Sequence, residues 1–495
     1  MRSLGASRRW WALAAVSLAN FMAYLDNNVT NVALPTIQRD LHLSVAGLEW
    51  VVSSYLLVLA GLLLVGGRVA DVYGRRRVFQ VGLAIFTLSS LVAGLAGSGG
   101  MLIGARSVQG LGAALLLPAT LAIIMATFRD TRERTMAIGI WGAIGALALA
   151  VGPVIGGVIS QHVHWGWIFL INVPIGVITF AIGMWSIAES RAESVSRSLD
   201  IPGLVTSAIA LTTLTYGLIE GQDRGWTSGV ILGSFAVAVV ALAAFLVIES
   251  RVASPMVNLS IFRSSAFSGG LGTFMIWGFG ILGIYFFTSL YLQNVLGFSP
   301  TRAGLAFVPM ALCVAVFSAI APRVVSLLGS HRTVAFGMVI MVVGLVLFVG
   351  QGAGATFAGL MPGFILFGAG AGLMNVPLTN SAMDAAPAHQ AGIASALLNA
   401  SREMAGLLGV TVIGAVLRTA QASSLRGGAK PVTAFLDGYH VGLWVTIGVM
   451  AAGVVLSYVT LRPRAVAAPE LVMDETTIEV PAMRVSVRDA EASID

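Results

Sequence analysis

The chain has 495 residues, 57% of them hydrophobic and only 10% charged, where a soluble globular protein carries about 25% charged residues. Continuous apolar runs of roughly 20 residues exclude both a soluble fold and a β-barrel, and leave an all-α polytopic membrane protein. The formal charge of +6 sits on short loops, a topology pattern that implies no nucleic-acid partner, and the single cysteine, Cys313, leaves no disulfide or cysteine metal cluster.

Met1 to Arg9 followed by an apolar run mimics a secretory leader. The run is too long for one and carries Asp26, so it predicts an uncleaved first span. About fourteen spans follow in chain order. They are 11–34, 48–66, 78–97, 101–127, 135–160, 167–188, 201–219, 229–249, 267–291, 303–323, 333–350, 356–379, 392–417 and 439–460. An even number places both termini on one face. Arginines concentrate in the loops of that face, among them Arg75, Arg76, Arg77, Arg129, Arg132, Arg134 and Arg332. The opposite loops hold only Arg39, Arg224, Arg302, Arg418, Arg426 and Lys430. The bias predicts cytoplasmic termini in a cell membrane.

The expected layout is an N-terminus at 1–10, a six-helix bundle at 11–188, a two-helix insert with its flanking loops at 189–250, a second six-helix bundle at 251–461, and a disordered cytoplasmic tail at 462–495. A faint repeat supports two pseudo-symmetric halves. Gly110-Leu111-Gly112 with Pro118 resembles Gly368-Ala369-Gly370 with Pro377, and Val151 to Gly156 resembles Val410 to Gly414. Duplicated halves with a site between them are common in transporters.

Asp26 lies deep in the first span. A carboxylate there costs roughly 2.5–3.5 kcal/mol on insertion scales and usually faces a bundle interior or an aqueous path. Asn20, Tyr24, Asn27 and Asn31 share one helical face with it nearby, and either line a wet cavity or bond to neighbouring helices. Asp26 lies about 12 Å below the outer end of its span and Arg106 about 8 Å below that of the fourth, so the two can pair. Such a pair either alternates with protonation of the acid and carries a proton, or permanently fixes packing.

Gly67, Asp71, Gly74, Arg75 and Arg76 occupy the loop after the second span. Glycines permit a tight turn there and the acid can pair with an arginine, so the loop is a candidate conformational latch as well as a topology anchor. Gly152, Pro153, Gly156 and Gly157 let the fifth helix kink and pack closely. Asn399, Arg402, Glu403 and Gly406 form an inward stripe on the thirteenth span. Arg402 and Glu403 are expected to find partners elsewhere rather than each other. Glu403 is a second candidate titratable site, a cation contact, or half of a stabilising charge pair. The ninth span is rich in aromatics from Phe274 to Tyr291, of which Trp277 is a candidate stacking platform for substrate, though most are expected to face lipid or other helices.

The loop Gly67 to Arg77, the run Arg106 to Gly112, the run Gly152 to Gly157, the start of the sixth span from Trp165 to Gly176, and Gly392 to Gly409 together resemble the major facilitator superfamily, in its fourteen-helix drug:proton antiporter branch. Asn27, Asn28, Thr30, Gly166, Glu403 and the acid-free loop Pro322 to Arg332 depart from the usual pattern. The resemblance implies a proton-coupled antiporter exporting amphipathic small molecules such as drugs, antibiotics or secondary metabolites. Asp26, Arg106 and Glu403 would then couple protons. Tyr24, Asn27, Asn31, Gln109, Trp277, Asn399 and Arg402 would line the substrate cavity. The partners implied are protons, a small substrate and membrane lipid, with a monomer expected and no cofactor or metal. A lipid or fatty-acid transporter of the same fold is the alternative. A membrane-embedded enzyme or receptor is disfavoured, because the chain has no GxSxG, HExxH or nucleotide-binding P-loop pattern.

Overall fold

The computed structural model describes residues 6–191, 200–252, 255–257, 259–386 and 391–462. The tail expected to be disordered lies outside the described residues, apart from its first residue. Every regular element described is helical: α1 Ala6–Asp40, α2 Val45–Tyr73, α3 Arg75–Gly94, α4 Gly99–Thr127, α5 Thr131–His162, α6 Trp167–Leu170, α7 Asn172–Ser186, α8 Ile201–Arg224, α9 Gly229–Arg251, α10 Ser265–Leu290, α11 Pro300–Ala306, α12 Val308–Leu328, α13 Ser330–Val349, α14 Phe357–Asp384, α15 Ala391–Arg426 and α16 Pro431–Thr460. A π-turn, Tyr291–Val295, extends α10.

Thirteen helical stretches among the described residues are long and apolar enough to cross a membrane, with α6–α7 and α11–α12 each making one crossing. The 35-residue α1 adds a fourteenth, in which Asp26, Asn27, Asn28 and Asn31 interrupt the apolar run. Side-chain caps start many of these helices. Ser44, Ser98, Asp130, Asp200, Ser228, Ser264, Ser299 and Thr356 each accept a backbone N–H of the first turn, which satisfies a donor the helix cannot. The helices outrun the apolar windows that predict them, because a hydropathy pattern marks only the part meant for hydrocarbon. Arg418, expected in an outer loop, consequently lies inside α15 with 6% exposure.

Within the first half, α4 packs between α2 and α3, and α1 against α5 and α7. In the second, α14 packs between α12 and α13, and α10 against α15 and α16. Small residues allow these approaches. A Cβ on Gly110 would stand 2.6 Å from the Tyr55 carbonyl oxygen, and one on Gly112 2.6 Å from the Phe86 nitrogen. Gly368 and Gly370 on α14 meet the backbone of α12 at Met310 and of α13 at Gly337 in the same way. The repeated glycines therefore occupy equivalent places in the two halves.

Between the halves, α2 meets α15, α5 meets α11 and α12, and α1 meets α10. The second crossing of each half thus faces the fifth of the other. Helices α8 and α9 pair with one another, and α8 also lies against both α2 and α15. Contacts across the halves gather on the face opposite the chain termini, the outer face of the sequence reading. There Ser289 Oγ donates to the Asn31 carbonyl at 2.8 Å, Gln293 Nε2 to the Val32 carbonyl at 2.8 Å, and the Thr301 N–H to Gln161 Oε1 at 3.1 Å. Gly157 abuts the Pro300 backbone and Gly304 the Pro153 backbone. The face opposite the chain termini is closed by these contacts.

Gly110→Val should destabilise the purified protein by about 1–3 kcal/mol, the usual cost of overpacking. Gly61→Val, where a Cβ meets nothing within 4 Å, should leave the melting temperature unchanged in the same detergent; equal melting temperatures for the two variants would contradict the packing account.

Candidate functional site

Asp26 and Arg106 both have fully buried side chains and pair directly, Arg106 Nη1 donating to Asp26 Oδ2. The other carboxylate oxygen, Oδ1, accepts from Gln109 Nε2 at 2.8 Å and from Asn172 Nδ2 at 2.8 Å. Gln109 also bonds Ser90 Oγ at 2.8 Å and accepts from Arg106 Nη1 at 2.7 Å. Arg106 Nε reaches the Val51 carbonyl at 3.3 Å, and its guanidinium carbon lies 4.3 Å from the Tyr55 ring centroid and 5.6 Å from that of Phe169. Helices α1, α2, α3, α4 and α7 thus all contribute to one polar knot. A buried carboxylate is tolerable only when its charge is matched and its lone pairs are used. Here both conditions are met.

The stripe expected beside Asp26 divides. Asn20 is buried and donates to the Trp141 carbonyl of α5 at 3.2 Å, so it ties helices together. Asn31 is buried and returns to the Asn27 carbonyl on its own helix at 3.0 Å. Tyr24 and Asn27 are half-buried. The Tyr24 hydroxyl accepts from Arg402 Nη2 of the opposite half at 2.7 Å, with the guanidinium carbon 5.3 Å from the Tyr24 ring centroid.

Three expectations need correction. Arg402 and Glu403 do pair with each other: Nε and Nη2 of Arg402 donate to Glu403 Oε1 at 3.1 and 2.6 Å. The long arginine side chain, held on its far side by Tyr24, curls back to its neighbour. Gln109, expected to line the cavity, has no exposed surface and belongs to the Asp26 knot. Trp277 is buried against Phe274, centroids 5.3 Å apart, rather than standing open. Asn399 is exposed and donates to the Ser395 carbonyl of its own helix at 3.0 Å. Glu403 lies outside the Asp26 hydrogen bonds, in the separate Arg402–Tyr24 cluster.

The loop after α2 turns at Gly74, whose φ of +114° favours glycine. Asp71 pairs with Arg75 at 2.8 Å. Arg75 Nη1 reaches the Ala122 carbonyl of α4 at 3.4 Å, and Arg76 Nη2 the Met184 carbonyl of α7 at 2.5 Å. Glu189 accepts the Arg76 N–H at 3.2 Å and lies 3.7 Å from Arg77. These bonds all stay within the first half. The sequence-level candidates Gly67, Asp71, Gly74, Arg75 and Arg76 thus gather where α2 and α3 meet α4 and the end of α7. On α5, Gly152 abuts Asn28 and Gly156 the Val29 carbonyl of α1, while Gly157 faces the other half. Gly152 and Gly156 therefore bring α5 onto the stretch of α1 just beyond Asp26.

Sequence reasoning missed Ser90, Tyr55 and Asn172 as partners of the knot. Asn172 had a signal: it falls inside the Trp165 to Gly176 pattern. Ser90 and Tyr55 had none, because their role comes from helix adjacency. It also missed Glu49, which sits at the edge of the second span with no exposed surface.

A helical membrane protein of two matched bundles, closed on one face around a buried acid–arginine pair, is a secondary transporter. The Major Facilitator Superfamily model matches residues 16–410, and the chain belongs to that superfamily. It is 33% identical over 471 residues to the puromycin resistance protein of Streptomyces alboniger, covering 94% of this chain and 93% of that one. It is 35% identical over 441 residues to the cephamycin export protein of Amycolatopsis lactamdurans, covering 88% and 89%. Its fold resembles the crystal structure of the POT family transporter PepTSo, with a TM-score of 0.68 at 14% identity over 92% of this chain and 97% of that one. The protein is a multi-pass membrane transporter and not an enzyme.

Removing one partner of a buried ion pair costs roughly 3–5 kcal/mol. Arg106→Met should therefore lower thermal stability sharply, and adding Asp26→Asn should recover part of the loss. A double variant no more stable than Arg106→Met would mean that the charge on Asp26 is not what Arg106 balances.

Proposed function

We propose that the protein is a proton-coupled antiporter of the cell membrane that exports amphipathic small molecules, such as antibiotics, drugs or secondary metabolites, by alternating access. Both termini are cytoplasmic in this reading, and the protein works as a monomer. The observation that carries it is the fully buried Asp26 held by Arg106, Gln109 and Asn172. Structural charges are expensive in a membrane and are usually found where ions or protons move. The printed names of the relatives, resistance to puromycin and export of cephamycin, support the direction and the kind of cargo.

With the outer face closed, ionised Asp26 holds α1 to α4 and α7. When the halves part on the outer side, a proton from that side reaches Asp26, removes the charge that Arg106 balances and loosens the knot, because a neutral acid no longer satisfies the guanidinium. Arg106 is then left over Tyr55, which offers a partial cation–π partner. Tyr24, Asn27, Asn399 and Arg402 surround the substrate path where the halves face each other, and Glu403 holds Arg402 ready for it. Because Tyr24 is two residues from Asp26 on the same helix, a shift of α1 on protonation moves the substrate contacts as well. The Asp71–Arg75 loop latches the first half, and the α5 glycines keep α5 tight against α1 so that no leak opens beside the acid.

Everted membrane vesicles energised to an acidic interior test this reading. Wild-type protein should accumulate an amphipathic antibiotic inside the vesicles, and Asp26→Asn should reduce accumulation to background while still binding the compound. Wild-type accumulation by Asp26→Asn would remove the proton-carrying role.

A further inference from the structure

A second buried ion pair lies on the outer face, outside the proton path just described. Glu49 on α2 has no exposed surface and Arg418 on α15 is 6% exposed. Arg418 Nη2 donates to Glu49 Oε2 at 3.2 Å, and Nε lies 3.2 Å from Oε1. One residue belongs to each half, so the pair joins them at the closed side. Gly414, one turn before Arg418, leaves room for the acid: a Cβ there would collide with the Glu49 carboxylate.

The insert takes part. Arg418 Nη2 also donates to the Leu218 carbonyl of α8 at 3.3 Å, and Nη1 stands 3.8 Å from Asp223. Trp50, beside Glu49, donates to Glu220 Oε1 at 2.9 Å, and Glu220 pairs with Arg224 at 3.3 Å. Thr419 donates to Gln222 at 3.1 Å. Helix α8 is thus strapped across the seam between α2 and α15.

This pair differs from the one at Asp26. There both carboxylate oxygens accept hydrogen bonds. Here a carboxylate oxygen, Glu49 Oε1, and two guanidinium nitrogens, Arg418 Nε and Nη1, are buried without a well-aligned hydrogen-bond partner, against Arg106 Nη2 alone in the other pair, and a pair with more unsatisfied groups is held less firmly. The groups facing Glu49 are Arg418 from α15 and Glu220 and Asp223 from α8; Arg106 on α4 is committed to Asp26. Three acids, Glu49, Glu220 and Asp223, therefore share two arginines, Arg418 and Arg224.

We propose that Glu49 is a second proton-binding site of the transport cycle, placed at the outer gate and paired with Arg418 across it. The ionised carboxylate holds Arg418 and keeps α2 against α15. A proton delivered from outer water to a Glu49 oxygen removes that attraction. Arg418 stays charged and keeps Asp223, 57% exposed, as its counter-ion, so no bare charge is left behind. The two-helix insert thereby supplies the partner that lets the gate open. The inference rests on the proton-antiport reading for the direction of the proton, but its test needs no substrate.

Spin labels at Arg39→Cys and Ser423→Cys, both exposed on the outer face, report the gate by pulsed electron paramagnetic resonance in nanodiscs. Cys313→Ala removes the native thiol and Asp26→Asn silences the central acid. Distances should lengthen as pH falls from about 8 to about 5, a range in which a paired buried carboxylate titrates. Glu49→Gln should give the long distances at both pH values. Gly414→Ala, which displaces the carboxylate without removing it, should shift distances the same way, and Glu49→Asp should keep a pH response. A pH-independent distribution in the parent, or an unchanged pH response in Glu49→Gln, would overturn the proposal. A pH-responsive gate in the labelled protein, with no drug accumulation by wild-type protein in the vesicle assay, would leave the gate standing and reject the exporter reading alone.

Discussion

Asp26 is fully buried, so protein groups must stabilise its charge, and five helices are arranged accordingly. Arg106 supplies the opposite charge, Gln109 and Asn172 fill the other oxygen, and Ser90 fixes Gln109. Each donor comes from a helix that must stay in register with α1 for the bonds to hold. The close packing of α4 against α2 and α3 through Gly110 and Gly112 is what brings Arg106 and Gln109 to the right depth. Neutralising one carboxylate would thus bear on the packing of most of the first half, which is how, in the proposed cycle, a single proton has a global effect.

The two halves are related in architecture but not in chemistry. Gly110 and Gly112 match Gly368 and Gly370 in helix packing, and Gly74 and Gly329 both turn with positive φ. The second half lacks a knot like that of Asp26 among its described residues. It contributes instead Arg402, held by Glu403 and Tyr24, and a core of aromatic residues on α10. The first half carries the buried Asp26–Arg106 pair, and the second reaches across to Tyr24 through Arg402. Their meeting surface is sealed on the face opposite the chain termini by backbone contacts at Gly157 and Gly304, by Ser289 and Gln293, and by the Glu49–Arg418 pair.

Crossing number and the Asp26–Arg106 depth match were legible in the sequence, because hydrophobic length and helical rise are one-dimensional quantities. Partners fixed by three-dimensional adjacency were not. Tyr55 and Ser90 look like ordinary helix residues until α2 and α3 flank α4. The family resemblance implies a cavity-lining Gln109, but its contact with Asp26 depends on how α4 sits against α1, which sequence does not give. Arg402 and Glu403 were set apart because adjacent residues point to different sides of a helix, yet an arginine is long enough to reach back. The apolar window that predicts the thirteenth span ends before Arg418, although the helix continues to Arg426. In each case the local pattern was sound and the missing information was which neighbour stands opposite.

Proton release evoked by substrate tests the central claim most directly. Purified protein in proteoliposomes with an entrapped pH dye is exposed to cationic, zwitterionic and neutral amphiphiles in turn. The account predicts a proton signal that accompanies movement of the transported compound and vanishes in Asp26→Asn. Transport without a proton signal, or an equal signal in Asp26→Asn, would contradict it.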